Sequence, residues 1–403
     1  MNVATSRKFS TRQFAVGLAG FCCFINLYAP QSILPLLTQE FGASAAEVSA
    51  AITAGTIAVA LTAPFTGTVA DVLGRKRVIV VAMFVLVVPT LMAGLAHSLS
   101  ELIFWRVVQG LVMPPIFAVT VAYIGDEWPP NEAATAAGIY SSGSSLGGFS
   151  GRLVVGILAD LISWRAGFFA LGTMTLAGAI AVALLLPPER KFVRSEGLLA
   201  SGRQMLAHFR NGQLLATFAV GFGVLFCFIC TFTYISFHLA AAPYNLSASW
   251  LGAIFVVYLT GSALTPWTGW AVGRFGRRRF TARVIGLWAA GIALTLLPSL
   301  PMIILGLAIC AACGLVCQSV STGYVTITAK AGRSSAVGLY VTSFYLGGSC
   351  GAALGGIAWS LGAWPACVVL IAIMLAVMAS VVIFAWARRV PASPMTTPIE
   401  PPP

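Results

Sequence analysis

Charge is what this sequence has least of. Only 8% of its 403 residues are Asp, Glu, Lys or Arg, where an average soluble domain carries about 25%. So few charges cannot cover a soluble globular surface of this size, and a disordered chain is never this apolar. Acids are scarcer still, with 11 Asp and Glu against 23 Lys and Arg, for a formal net charge of +12. Metal shells are missing as well. None of the nine cysteines is accompanied by a His or an acid, including the pair Cys227 and Cys230 and the trio Cys310, Cys313 and Cys317 on one helical face. They read as small apolar filler, and a disulfide scaffold is excluded. No cofactor is expected.

What the sequence does have is apolar length, with 59% hydrophobic residues. Twelve long apolar runs fall at 14–36, 47–69, 78–96, 101–124, 133–158, 165–186, 214–239, 250–271, 281–299, 301–325, 335–358 and 364–387. About 20 apolar residues span a bilayer core. Only closed backbone structures survive in lipid, and these runs are too long for barrel strands, so they read as helices. The expected fold is all-α: a polytopic membrane protein of twelve transmembrane helices in two six-helix bundles. The expected divisions are a cytoplasmic N-terminal segment 1–13, a first bundle 14–186 and a cytoplasmic linker 187–213. A second bundle 214–388 and a disordered Pro-rich cytoplasmic tail 389–403 follow. Arg7, Lys8 and Arg12 before the first run mimic a signal peptide, but no small-residue cleavage site follows, so the run reads as an uncleaved span.

The basic excess reads as an address. With the N-terminus inside and the spans alternating, 20 of the 23 cations fall in inside segments. Both termini are then cytoplasmic. The loop 125–132 holds only Asp126, Glu127 and Glu132, but acids count little in this rule. Nucleic acid is not needed to explain the charge. All eleven acids sit at helix ends, in loops or in the tail, and none at mid-depth.

The chain repeats itself. A shift of 200 residues aligns Gly138, Tyr140, Leu146, Gly147, Gly148, Gly151, Gly156, Ile157 and Trp164 with Gly338, Tyr340, Leu346, Gly347, Gly348, Gly351, Gly356, Ile357 and Trp364. With Leu161 and Leu361, these make ten identities in 27 ungapped positions and mark spans five and eleven as copies. A shift of 202 aligns Gly67, Gly74 and Arg75 with Gly269, Gly276 and Arg277. Two halves of the same handedness are a transporter architecture, with the solute site between them.

Several motifs carry a family resemblance. Gly67-Thr-Val-Ala-Asp71-Val-Leu-Gly74-Arg75-Lys76-Arg77 resembles motif A of the major facilitator superfamily, and its echo runs from Gly269 through Arg274 and Gly276 to Arg279. Val72 stands where the family has Arg, and Gly273 stands where it has Asp. Leu102-Ile-Phe-Trp-Arg106-Val-Val-Gln109-Gly110 resembles motif B of span four. The chain is similar to the twelve-span drug:proton antiporters, and within them to the bacterial inner-membrane YnfM-like branch, also labelled sugar or arabinose efflux permeases. That finer likeness lies in Leu27-Tyr28-Ala-Pro-Gln31, Gly151-Arg152-Leu, Asp160 with Trp164-Arg165, and Tyr345-Leu-Gly-Gly348. Of the antiporters' motif C, Gly143 and Gly147 are present while Gly148 replaces the Pro.

The residues suggest roles. Gly143, Gly147 and Gly151, and again Gly347 and Gly351, form smooth strips for close helix packing. The resemblance implies that these strips are sliding contacts between the halves. It also implies that the motif A residues Gly67, Asp71, Gly74, Arg75, Arg274 and Arg277 form a conformational latch, with Asp71 on a helix end of the other half. Arg106 and Arg152 lie inside spans, where a charge costs at least about 2.5–3.5 kcal/mol and is functional by default. The bland alternatives are that Arg106 bonds helix carbonyls and that Arg152 reaches Asp160, eight residues on and two turns away. Asn26, Gln31, Gln109, Tyr234 and Gln318 are polar residues on the spans that line the family's cavity, and His238 can titrate.

A pump for cationic drugs should show a membrane acid, and none exists here. Arginine without acid favours an anionic or neutral polar solute. Gly148-Phe-Ser150-Gly151 fits the GxSG of rhomboid proteases, but its repeat, Gly348-Ser-Cys350-Gly351, has no Ser at that place, so the segment reads as packing and no enzyme is expected. A channel is a further class that saturable counterflow excludes. The function expected is secondary transport of a small organic solute across the bacterial cytoplasmic membrane by alternating access. Proton-coupled efflux is the first reading, and uptake or exchange of an organic carboxylate the second. The partners expected are the solute, protons and membrane lipid, with the chain a monomer.

Overall fold

A computed structural model describes residues 3–189, 206–329 and 333–386. The tail 389–403 and most of the linker 187–213 lie outside the described residues. Every described element is a helix. Spans one to six are Val3–Leu27, Ala45–Leu73, Arg75–Gly94, Leu99–Glu127, Pro130–Leu161 and Trp164–Leu185. Spans seven, nine and ten are Gly212–Ala240, Arg277–Leu294 and Leu300–Thr328, and span eight runs over Ala248–Phe275. Spans eleven and twelve share the helix Arg333–Phe384, which breaks at Gly362 and at Ala363, whose φ is 49°. Eight of these helices are long and apolar enough by themselves to cross a membrane. Spans one, five and nine, and the division of the last helix, complete the twelve.

Local chemistry sets the helix ends. Ser44 and Glu47 form a reciprocal capping box at the start of span two. Ser98, Ser163 and Asn211 each accept a backbone N–H in the first turn of spans four, six and seven. Span one ends at Leu27, and Pro30 and Pro35 are the second residues of a short 3-10 turn, Ala29–Ser32, and a short helix, Leu34–Phe41. Gly74 and Gly276, related by the repeat, both take positive φ, at 90° and 77°, between spans two and three and between spans eight and nine. This conformation suits glycine alone.

The end of the bundle near Arg75–Arg77 and Arg277–Arg279 is called here the basic end, and the opposite end the far end. Spans one to six form one half and spans seven to twelve the other. The glycine strips lie inside the halves, which corrects their expected place between them. A Cβ on Gly143, Gly147 or Gly151 would strike the backbone of Gly17, Phe21 or Ile25 in span one. One on Gly347 or Gly351 would strike the backbone of Phe222 or Phe226 in span seven. The physical reason is that close backbone approach suits a permanent contact better than one that must slide. Gly347→Ala should therefore cost about 1–3 kcal/mol, since its Cβ would lie 2.0 Å from the Phe222 carbonyl oxygen. Gly67→Ala meets nothing within 4 Å and should leave stability unchanged. Thermal unfolding of the two variants in detergent checks the contrast.

The described contacts between the halves gather at the far end and at mid-depth. Gly156 abuts Ala248, and its repeat copy Gly356 abuts Ala46. The Tyr234 hydroxyl bonds the Ser49 hydroxyl at 2.8 Å and the Ala352 carbonyl at 2.5 Å. Thr56 and Ser349 hydroxyls meet at 2.8 Å, and Phe117 and Tyr345 rings at 5.8 Å. Toward the basic end, positions 67, 138, 269 and 273 have nothing within 4 Å of a Cβ.

Candidate functional site

Two buried arginines organise the first half, and they sit in different company. Arg106 is fully buried on span four. Its Nη1 donates to the Asn26 carbonyl at 3.0 Å and to the Gln109 amide oxygen at 2.5 Å. Its Nη2 donates to the Leu27 carbonyl, and its Nε to the Ala51 carbonyl at 3.2 Å. Asn26 and Leu27 are the last residues of span one, so Arg106 caps orphan carbonyls at the negative end of that helix. Gly55 makes the room, since a Cβ there would sit 3.2 Å from Nη2.

The network then closes on itself. The Gln109 amide donates to the Thr90 hydroxyl at 2.8 Å, and Thr90 to the Asn26 side-chain oxygen at 3.0 Å. The Asn26 amide donates to Thr175 at 2.9 Å and to the Cys22 carbonyl at 2.8 Å. Five helices of one half are tied together. Arg106, Gln109 and Asn26 are thus engaged with protein groups, the arrangement anticipated as helix-carbonyl bonding.

Arg152, on span five, is buried at the junction of the halves. Its guanidinium carbon lies 4.3 Å from the centre of the Phe255 ring, 4.9 Å from Tyr258 and 5.1 Å from Tyr28. Phe255 and Tyr258 belong to span eight of the other half. Nε donates to the Gln31 amide oxygen at 2.8 Å, and Nη1 to the Gly148 carbonyl. The Gln31 amide donates onward to Thr233 of span seven at 3.0 Å. Among the described residues no hydrogen bond engages Nη2 and no acid pairs with Arg152. The anticipated Arg152–Asp160 pair is absent: the Asp160 carboxylate instead accepts the backbone N–H of Ala248 and of Ser249, at 3.2 and 2.8 Å.

The other expected residues lie apart from Arg152. His238 is half-buried at the far end of span seven, its ring 6.1 Å from Trp364 and 5.4 Å from Tyr244. Gln318 is half-buried on span ten, with no hydrogen bond from its amide among the described residues. At the basic end, Arg75 pairs with Asp126 at 2.5 Å and with Asp71 at 3.6 Å, all within one half. The Glu189 carboxylate caps the start of span three, accepting the Lys76 N–H at 3.2 Å. In the second copy, Arg277 stacks on Tyr324 at 4.3 Å, and Arg274 is exposed. A cleft of about 470 Å³ beside Lys76, Arg77 and Glu189 is lined by span three and by Pro188 and Glu189, just beyond the end of span six, and lies apart from Arg152.

Two overlapping stretches, 16–261 and 224–402, match the family model of the Major Facilitator Superfamily. The chain belongs to that superfamily. It is 33% identical to the inner membrane transport protein YnfM of Escherichia coli over 374 residues, covering 92% of this chain and 89% of that one. The multidrug export protein EmrB of Haemophilus influenzae is 29% identical over 155 residues, or 38% of this chain and 30% of its own. Among solved structures, the human organic anion transporter MFSD10 superposes with a TM-score of 0.72 at 16% identity, over 93% of this chain and 99% of that one. This superfamily member is therefore a multi-pass transporter of the secondary type, with the twelve-span fold. Sequence reasoning found both buried arginines but missed the partners that separate them. Tyr28 stood out only within the Leu27–Gln31 stretch that carries the finer resemblance, and neither Phe255, Tyr258 nor the threonines were singled out. The only signal was Tyr28 standing just before the Pro30 break.

Proposed function

We propose that this transporter moves a small organic anion, a carboxylate, and that Arg152 is its anchor. The observation that carries this reading is a buried guanidinium at the junction of the halves, caged by three aromatic rings and unpaired with any described acid. A membrane-depth charge costs at least about 2.5–3.5 kcal/mol, so a structure that keeps one without a counter-ion has a use for it. Carboxylates bind guanidinium in a two-pronged geometry, and Nη2 has no partner to give up. The tyrosine and phenylalanine faces suit an apolar or aromatic body behind the carboxylate. Gln31 and Tyr234, which bond Thr233 and Ser49 across the halves, are further solute contacts in this reading, as are His238 and Gln318. The far end, closed in this structure, is the outer face, since the basic loops mark the cytoplasmic side. The chain works as a monomer in the bacterial inner membrane, with both termini inside.

Proton-coupled efflux is a second reading, favoured by the partial likeness to a multidrug export protein. Against it, no Asp or Glu among the described residues stands at mid-depth to carry the proton. Proteoliposomes separate the two. With a carboxylate inside, labelled carboxylate should enter by counterflow and ignore an imposed pH gradient. Accumulation that follows the pH gradient and ignores trapped carboxylate overturns the anion reading in favour of proton-coupled transport.

A further inference from the structure

We propose that Asp160 is a positioning residue for the transport cycle: its carboxylate, carried by the first half, serves as the N-cap of span eight in the second half and holds the far end shut. Span eight starts at Ala248, and its own flanking residue Ser247 makes no side-chain capping bond. The first N–H groups of a helix have no partner within it, and a negative charge beside them is favourable. Asp160 supplies both, at 3.2 Å from Ala248 N and 2.8 Å from Ser249 N. The Ser249 hydroxyl returns a bond to the Gly156 carbonyl at 3.4 Å. The backbones touch around this point, since a Cβ on Gly156 would lie 2.3 Å from the Ala248 carbonyl oxygen, and one on Gly252 2.5 Å from that of Arg152.

The internal repeat provides a control. Ser360 occupies the place of Asp160 in the second half, and its hydroxyl bonds Ile357 of its own helix at 2.8 Å. The helix it faces, span two, is already capped by Ser44 and Glu47 from its own half. Among the described residues the cap crosses between halves at one of the two equivalent places. A cap of this kind exists only while spans five and eight touch, so opening of the far end must break it. It acts on the conformational equilibrium whatever solute Arg152 takes.

The test uses full-length protein in membrane vesicles, with Ser49→Cys as a reporter buried at the far end and an impermeant thiol reagent added to each face in turn. Background from the native cysteines is read in protein lacking the reporter. Asp160→Ala should raise labelling from the far face about tenfold, the shift expected on losing a helix cap. Asp160→Asn keeps an acceptor oxygen but loses the charge, and should raise labelling by only about two- to fivefold. This second variant carries the test alone if the alanine variant does not fold. Ser360→Ala should label at the parent rate. Labelling of both Asp160 variants at the parent rate, or an equal rise in Ser360→Ala, overturns the proposal.

Discussion

Arg106→Leu should lower stability by about 2–4 kcal/mol and leave less folded protein in the membrane. The substitution strips the Asn26, Leu27 and Ala51 carbonyls and the Gln109 amide of their donor at once. A buried acceptor left unpaired costs about 1–3 kcal/mol, and part of the total is offset because a buried charge disappears with it. Arg106→Lys should fall between, since one ammonium cannot reach carbonyls on both span one and span two. Thermal unfolding in detergent reads both variants. Transport should drop only in proportion to folded protein. A variant that unfolds at the parent temperature yet fails to transport would make Arg106 a solute-binding residue instead.

Arg152→Met should do the opposite. Transport should fall about 10- to 150-fold, the worth of a charge-assisted two-pronged contact of about 1.5–3 kcal/mol. Stability should change little. The lost bonds to Gln31 and Gly148 are offset by removing a cation that no described acid neutralises. Arg152→Lys keeps the charge but loses the planar fork and most of the stacking on Phe255, Tyr258 and Tyr28, so transport should fall by an intermediate factor. Initial rates in proteoliposomes, normalised to folded protein, check the order. The two arginines are thus distinguished by which assay each one moves.

Much of this arrangement was legible in the sequence. Twelve apolar runs and the 200-residue repeat dictate the helices and the two halves, because lipid permits little else. The short strips at Gly147 and Gly347 announced close packing, but not against which neighbour. Four-residue spacing fixes the face of a helix and says nothing about what lies opposite, and the neighbours proved to be spans one and seven. Arg106 and Arg152 were both visible as costly charges. What separates them is long-range: Arg106 meets carbonyls at the end of a helix about 80 residues earlier, and Arg152 meets rings about 100 residues later. Two turns' spacing on one helix makes Asp160 and Arg152 a natural pair. The unsatisfied first turn of span eight competes better for that carboxylate, and no local pattern announces such a partner.

The most direct test of the anion reading is the thermal shift of purified protein with matched carboxylic acids and their neutral amides. A ligand that binds only the folded state stabilises it in proportion to the logarithm of its concentration over Kd. At least one carboxylate should raise the unfolding midpoint where its amide does not, and Arg152→Met should abolish that shift while Arg106→Lys retains it. A shift equal for acid and amide, or one that survives in Arg152→Met, would contradict Arg152 as the anchor of an anionic solute.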